Sequence, residues 1–568
     1  MWQGRRWTTR GEKASRSQSY CIGGHRLGFL AALSTCFYVG HGRQEISSGI
    51  SFAGCGWQQG LGDSDRESGC SWGTDRRFIE DRRMAVEMEG PEASIPLNCV
   101  DKALFALYSK DEPMVNHCIL TIDGTVDPVR LKSALMTVLF RHPSLRSTVH
   151  AGVFRQVREI RSNYGSDILS VWDLPQPKGL PDADGSQIGA WYERRLSEWI
   201  NTPLDPGKEL PWRVLLLRRT PRQFSLVFAC HHSVADGLRH LRFIGEVIQD
   251  YNGATEDSSP STCSLSDGRR DDLVAMAQAC RLKVRHFYLR MIANLAHRFL
   301  FAPLSPNARI CRTSSRSSAE IHFCQGALNP HELRQIRSKS KTVGATVNDI
   351  LLAAGFRTVE QWNGAHGKPS RKISIMMPVS IGNPMSSPVI TNQVSFISVS
   401  TTQRERSDPE ELLREVKQRT SHMLKNGIAF SIVYAVYFCC LFPPVAKAVA
   451  RFLLATRIYL DSILVTNLGL IWPAGTTQRE RDNLGTAKIT SVVSLAPVVS
   501  PMGISLCPGT YHDHLYVGLT YKTRQFSKAG ARTFLNLYLH ELRSYQRTPE
   551  GLLAPEVIQR DTRETVPL

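Results

Sequence analysis

The hydrophobic pattern is sharpest near the middle of the chain. Two apolar runs, 214–217 and 224–229, flank a polar turn at 220–223 and predict a strand hairpin. Beyond 229 the period changes. Leu238, Leu241, Ile244, Ile248 and Tyr251 fall on one helical stripe, so a buried strand runs through a short connection into a helix. Upstream, ordered pattern begins near residue 95, with a helix over 100–108 and a strand over 117–122. Asp127-Pro128 then supplies an N-cap and a first-turn proline for a helix with Leu131, Ala134, Leu135 and Leu139 on its apolar face.

The second half repeats the alternation. A strand at 321–324 and a helix at 329–340 lead to Thr346, an N-cap with Asp349 at the third helical position. That helix runs through Trp362 and buries Ile350, Leu351, Ala354 and Val359; a strand over 373–379 follows. Residues 427–442 carry no charge and end at Pro443-Pro444. This run is below membrane-spanning length, and a helix in the core or beside a substrate channel is favoured over an interfacial segment. Strands at 489–495, 503–507 and 514–521 and a helix over 528–545 complete an α/β (α+β) pattern.

Three regions lack such periods. Residues 1–94 open with seven Arg or Lys against one acid before Glu45, then a short apolar run at 27–39 and a Gly, Ser and Arg mixture. They are expected to be a disordered or targeting extension, or a misassigned start, with Met84 or Met88 as the alternative first residue. Residues 257–318 form a basic linker. A helical stretch over 273–301 carries Arg281, Lys283, Arg285 and Arg290, and no acid occurs between Asp272 and Glu320. Such a face suits anionic lipid or a phosphorylated donor, or simply solvent. Residues 548–568 read as a loose tail. The folded body then divides into 95–256 and 319–547.

Composition narrows the class. With 42% hydrophobic and 21% charged residues, the 568-residue chain reads as a globular enzyme of two or three units. A formal charge of +18 allows nucleic acid, anionic membrane or phosphate-bearing substrates. No zinc-finger spacing or RNA-binding fingerprint occurs, so nucleic acid is not expected as a partner. The 14 cysteines form no CxxC pair and many lie in apolar runs, which reads as reduced thiols in an intracellular, cytoplasmic protein, with organelle targeting or peripheral membrane contact left open. No metal site is indicated. His512 and His514 make a lone pair on an expected strand, lack further ligands and read as polar side chains facing solvent.

The chemistry sits at the strand-to-helix connection, which reads Cys230-His231-His232-Ser233-Val234-Ala235-Asp236-Gly237. An imidazole held there can take a proton near neutral pH, and an Asp-Gly pair can close the loop around it. This His-His-x-x-x-Asp-Gly spelling resembles the superfamily of CoA- and carrier-dependent acyltransferases, which includes condensation domains of peptide synthetases, wax ester synthases and alcohol acyltransferases. Arg141-His142-Pro143-Ser144-Leu145-Arg146 is similar to the Arg-His-x-x-Leu-Arg motif of condensation domains at a like distance upstream. The Thr346-Val347-Asn348-Asp349 helix start is similar to one in wax ester synthases.

The resemblance, over 95–547, implies two chloramphenicol-acetyltransferase-like lobes of mixed sheets backed by helices, with a tunnel between them. It implies a catalytic pair, His232 as general base and Asp236 as its structural partner in the motif. His231 and Gly237 would support the turn, Gly237 allowing close approach of backbone to the donor. Thr466 and Asn467 would line the tunnel. Relatives commonly carry an Arg where Gly382 stands, so Asp236 is expected to use Arg371 or a backbone donor. The implied reaction moves an acyl group from acyl-CoA or an acyl carrier protein thioester to a small-molecule alcohol or amine, with no permanently bound cofactor. Ester formation is favoured. Amide condensation on carrier-bound substrates and a non-catalytic acyl-CoA-binding role are the alternatives.

Overall fold

The computed structural model describes residues 94–545, apart from 152–155, 162–167, 174–184, 221, 254–288, nearly all of 289–304, 315–319, 382–389, 457–460, 473–481 and 501. The expected extension, tail and basic residues Arg281, Lys283, Arg285 and Arg290 therefore lie outside the described residues.

The first half runs β1 (Ser94–Pro96), α1 (Cys99–Leu107), β2 (Val115–Asp123), α2 (Pro128–Arg141), β3 (Ser147–Ala151), β4 (Gln156–Ile160), β5 (Leu169–Asp173), α3 (Gly185–Asn201), β6 (Trp212–Thr220), β7 (Gln223–His231) and α4 (Gly237–Asn252). The second runs β8 (Ile321–Leu328), α5 (Pro330–Thr342), α6 (Val347–Ala365), β9 (Lys372–Ser380), β10 (Val394–Thr402), α7 (Pro409–Lys425), α8 (Ile428–Cys440), α9 (Pro443–Thr456), β11 (Ile463–Val465), β12 (Asn483–Leu484), β13 (Ala487–Leu495), β14 (Ile504–Tyr511), β15 (His514–Lys522) and α10 (Lys528–Ser544). Two mixed six-stranded sheets result, ordered β12-β13-β2-β7-β6-β5 and β10-β9-β11-β14-β15-β8, with a small sheet β1-β4-β3 beside them.

Local chemistry explains the helix starts. Asp127 caps α2 by accepting from Val129 N, and Pro128 occupies its first turn. Asn329 with Glu332, and Thr346 with Asp349, close reciprocal capping boxes on α5 and α6. The expected apolar face of α2 is buried, as are Ile350, Leu351, Ala354 and Val359 of α6. One core lies between the first sheet and helices α2 and α4; a second lies between the other sheet and helices α6 and α10. The third packs Leu196, Trp199 and Ile200 of α3 on the opposite face of the first sheet and reaches Ile321 of β8.

The halves are not independent. After β11 in the second sheet, the chain crosses over and β12 and β13 join the first sheet, where β13 pairs along β2 from Lys488↔Asp123 to Leu495↔His117. Residues 483–495, expected in the second lobe by sequence order, thus complete the sheet of the first. The strands β14 and β15 then return to the second sheet. Gly518 of β15 lies where a Cβ would strike the Ser494 carbonyl of β13, so bare backbone lets the sheets approach at this junction.

The uncharged run becomes α8, packed on β10 and α1. Ala429, Val433 and Cys440 are buried, while Ile432 and Val436 are half-buried. His512 and Asp513 form the two-residue turn between β14 and β15, with φ of 45° and 59°. Both positive values fit a primed hairpin turn, which accounts for the His-x-His spacing without a ligand.

Candidate active site

Strand β7 ends at His231, paired opposite Val115 of β2, and α4 begins at Gly237. The loop between them is held almost atom by atom. His232 N donates to the Met114 carbonyl at 2.7 Å, and Met114 itself sits at φ 49°, a left-handed conformation that a non-glycine residue adopts only when its surroundings impose it. The carbonyl of His232 accepts from Asn392 Nδ2 at 2.6 Å, that of Ser233 from Arg158 at 2.6 Å, and that of Ala235 from Asn116 Nδ2 at 3.1 Å. Arg158 also pairs with buried Asp101 at 2.7 Å, and Asn392 donates to the same carboxylate. Residues from β2, β4, α1 and the 390–393 segment therefore converge on one short loop.

Asp236 is the N-cap of α4. Its Oδ1 accepts from Leu238 N and Arg239 N, and its Oδ2 accepts from Gln393 N at 2.9 Å. Buried Arg239 lies 3.7 Å away and also donates to the Gln393 side chain. The partners are therefore backbone donors and Arg239. Arg371, the side chain expected here, is not among them, and Gly382 lies outside the described residues.

His231 is fully buried. Its Nδ1 accepts from Ser233 N at 3.1 Å and lies 2.8 Å from Ser233 Oγ, while the Tyr108 ring meets it edge-on at 5.0 Å. Burial lowers its pKa to about 3, so the ring is neutral. Gly237 lines the same cavity as His232. A Cβ there would lie 2.8 Å from Leu468 Cδ2, so the glycine admits the crossing segment after β11 against the start of α4.

His232 opens onto a cavity of about 520 Å³ of empty volume, part of it open to solvent. Its wall includes Asn116, His117, Asp236, His240, Thr466 and Cys507. His232 Nδ1 is enclosed without a hydrogen-bond partner. Burial is the largest influence on the ring and lowers its pKa; its own backbone, the Asp236 carboxylate, the Asn392 side chain and the Asp101 carboxylate act against that. The balance favours the neutral imidazole at the cavity wall, the form a general base requires.

Of the other expected residues, Thr466 lines the cavity and donates its N–H to the Leu506 carbonyl. Asn467 accepts from Gly469 N at 2.9 Å in a local turn and is not among the lining residues. Sequence reading missed His117, on β2, and His240, on α4. Both are buried, both have an unpartnered Nε2, and burial lowers each to a pKa of about 3. Only the pairing of β2 with β7 and the packing of α4 bring them to the cavity.

The upstream basic motif acts at a distance from the cavity. Arg141 pairs with Glu246 and Asp250 of α4, and His142 Nε2 lies 2.6 Å from Glu246, whose pKa falls to about 2 despite burial because His142 and Arg242 hold its carboxylate. These residues fasten the helix that carries Asp236 at its start.

The sequence pattern of the condensation domain matches residues 106–433, more than half of the chain. The chain belongs to the condensation-domain family. An uncharacterised protein of Mycobacterium tuberculosis is 22% identical over 373 residues, covering 62% of this chain and 77% of its own. A Mycobacterium bovis protein named as a candidate diacylglycerol O-acyltransferase is 26% identical over 207 residues, 34% of this chain and 44% of that one. Among solved structures, the first condensation domain of the calcium-dependent antibiotic synthetase superposes with a TM-score of 0.58 at 14% identity, covering 81% of this chain and 98% of that one. The mixed α/β, two-lobed condensation fold with helix-backed sheets is thereby shown, and the family is one of transferases.

Proposed function

We propose that this condensation-family protein is an O-acyltransferase using a thioester donor, acyl-CoA or an acyl carrier protein, and a small-molecule hydroxyl acceptor. The observation that carries the reading is His232 at the wall of a cavity, its Nδ1 without a hydrogen-bond partner and its backbone fixed by bonds to the Met114 carbonyl and from Asn392 Nδ2. In the reaction, His232 takes the acceptor's hydroxyl proton as the oxygen attacks the thioester carbon. The tetrahedral intermediate collapses, the carbon–sulfur bond breaks, and the proton passes to the departing thiolate. Asp236 positions: it ties the start of α4 to Gln393 and keeps the loop in register. Thr466 lines the same wall, and Asn467 shapes the turn behind it. Every step balances without a bound cofactor. The named acyltransferase relative favours an ester product, while a carrier-bound amide condensation remains the competing reading for the family.

The test incubates the full chain with acyl-CoAs of several lengths and mixed alcohols and amines, following free thiol and product mass. Ester formation is expected, and His232→Ala should lower turnover by about 10²–10⁴-fold with unchanged melting. Turnover that survives in His232→Ala would overturn the mechanism. Amide products alone, formed only from carrier-bound donors, would establish the condensation reading instead.

A further inference from the structure

Among the described residues, eleven large apolar side chains stand exposed, and five of them, Leu424, Leu441, Phe442, Val445 and Phe452, fall within residues 424–452. Scattered apolar residues on a surface need no explanation, but a cluster does. Four of the five sit at the α8–α9 corner. Along α9, Val445, Ala448, Phe452 and Ala455 are exposed at helical spacing, while Ala446 and Ala450 are buried on the other side. Phe442 is half exposed just ahead of this stripe, at 50%.

Charge on this corner has one sign. Residues 416–460 contain no Asp or Glu. Lys447 and Arg451 are exposed one turn apart beside the apolar stripe, Lys425 is exposed at the end of α7, and none of the three makes an ion pair among the described residues. Arg419, by contrast, is matched to Glu405 and Glu415. The corner thus places apolar side chains next to uncompensated cations with long flexible stems.

We propose that the α8–α9 corner docks on the surface of an anionic lipid bilayer. Phe442, Val445 and Leu441 would enter the boundary between headgroups and acyl chains, while Lys447 and Arg451 reach back to lipid phosphates. The contact is interfacial, because among the described residues no helix is long and apolar enough to cross a membrane. A second copy of the chain fits less well, since a two-fold contact through this corner would set Lys447 and Arg451 against their own equivalents. An acyl acceptor or product dissolved in the bilayer would then meet the enzyme at the interface. The docking itself needs no turnover and stands independently of the proposed reaction.

The experiment sediments the full chain with phosphatidylcholine vesicles, with and without phosphatidylglycerol. Binding should be at least about tenfold tighter on the anionic vesicles and should weaken as salt shortens the screening length from about 10 Å at 0.1 M to about 3 Å at 1 M. Phe442→Glu with Val445→Glu, and separately Lys447→Glu with Arg451→Glu, should each reduce binding by about tenfold or more. All four positions are solvent-exposed, so melting should stay unchanged in both variants. Three results would overturn the proposal: wild-type binding in both variants, equal binding to neutral and anionic vesicles, or a vesicle-free dimer that Phe442→Glu dissolves. Loss of binding only when Arg281, Lys283, Arg285 and Arg290 are reversed would also overturn it and move the contact to the basic linker.

Discussion

The two halves of the fold contain the same device, and only one of them carries the proposed chemistry. In the first, hairpin β6–β7 runs through residues 232–236 into α4, beside β2; in the second, hairpin β14–β15 runs through 523–527 into α10, beside β8. The hydrogen bonds correspond. His231 N donates to the Pro211 carbonyl and Lys522 N to that of Gly503; His232 N donates to Met114 and Thr523 N to Glu320; Val234 N donates to His231 and Gln525 N to Lys522. Asp236 caps one helix and Ser527 the other. The side chains part company. Where the first loop buries neutral His231 and presents His232 to a cavity, the second buries Lys522 against Glu112 at 2.7 Å, the Asp111 carbonyl and Ser500. A shared backbone therefore makes a rigid strand-to-helix loop, and the residues placed on it decide whether it works as a base or as a bolt. The bolt joins β15 of the second sheet to the segment preceding β2 in the first.

The largest effect expected outside the cavity is on that bolt. Removing Lys522 leaves the buried Glu112 carboxylate uncompensated, so Lys522→Met should cost about 3–5 kcal/mol in chemical denaturation. Adding Glu112→Gln should recover much of the loss, because the leftover charge is the main penalty. A Lys522→Met protein as stable as wild type would show that the second loop is not a bolt.

Acidity should separate the halves next. His117, His231 and His240 are buried around the first loop with pKa values of about 3, against about 6.5 in an unfolded chain. Below pH 6.5 the unfolded chain takes up protons that the folded chain refuses. Stability is complete above about 6.5 and declines from there toward about 3, by up to about 1.4 kcal/mol per pH unit for each ring. Hydrogen exchange near about pH 5 should accelerate in β2, β7 and α4 before β8, β15 and α10. His117→Leu should flatten the decline by about one ring's share. Uniform exchange across both halves would break the contrast.

The smallest effect compares the caps. In Asp236→Asn the amide nitrogen can face Gln393 N–H, donor against donor, costing about 1–3 kcal/mol and disturbing the loop that holds His232. Ser527→Ala removes a single cap hydrogen bond to Gly530 N, about 1 kcal/mol. Melting and thiol release measured together should show activity falling beyond the stability loss only in Asp236→Asn.

Much of the scaffold was legible because it is locally encoded. The hairpin over 214–229, the caps Asp127 and Thr346, and the His-His-x-x-x-Asp-Gly loop each depend on residues a few positions apart. Hydrophobic period and capping chemistry act over that same range, so sequence alone determined many of the elements and, through the motif, the residue proposed as base; the helix Gly185–Asn201 and the strand Val394–Thr402 were not read. Partners far along the chain were another matter. Gln393 as a companion of Asp236, Asn392 on the His232 carbonyl, and His117 at the cavity wall have no local signature. The return of β12 and β13 to the first sheet, and Leu468 seated against Gly237, likewise depend on strand pairing and side-chain packing between segments more than two hundred residues apart. Such contacts form only once both sheets exist, because each side of the contact is indifferent to the other until burial removes water from between them. Tertiary structure alone therefore decided what surrounds His232 and how the two halves are locked, while the loop that presents it was already written in ten consecutive residues.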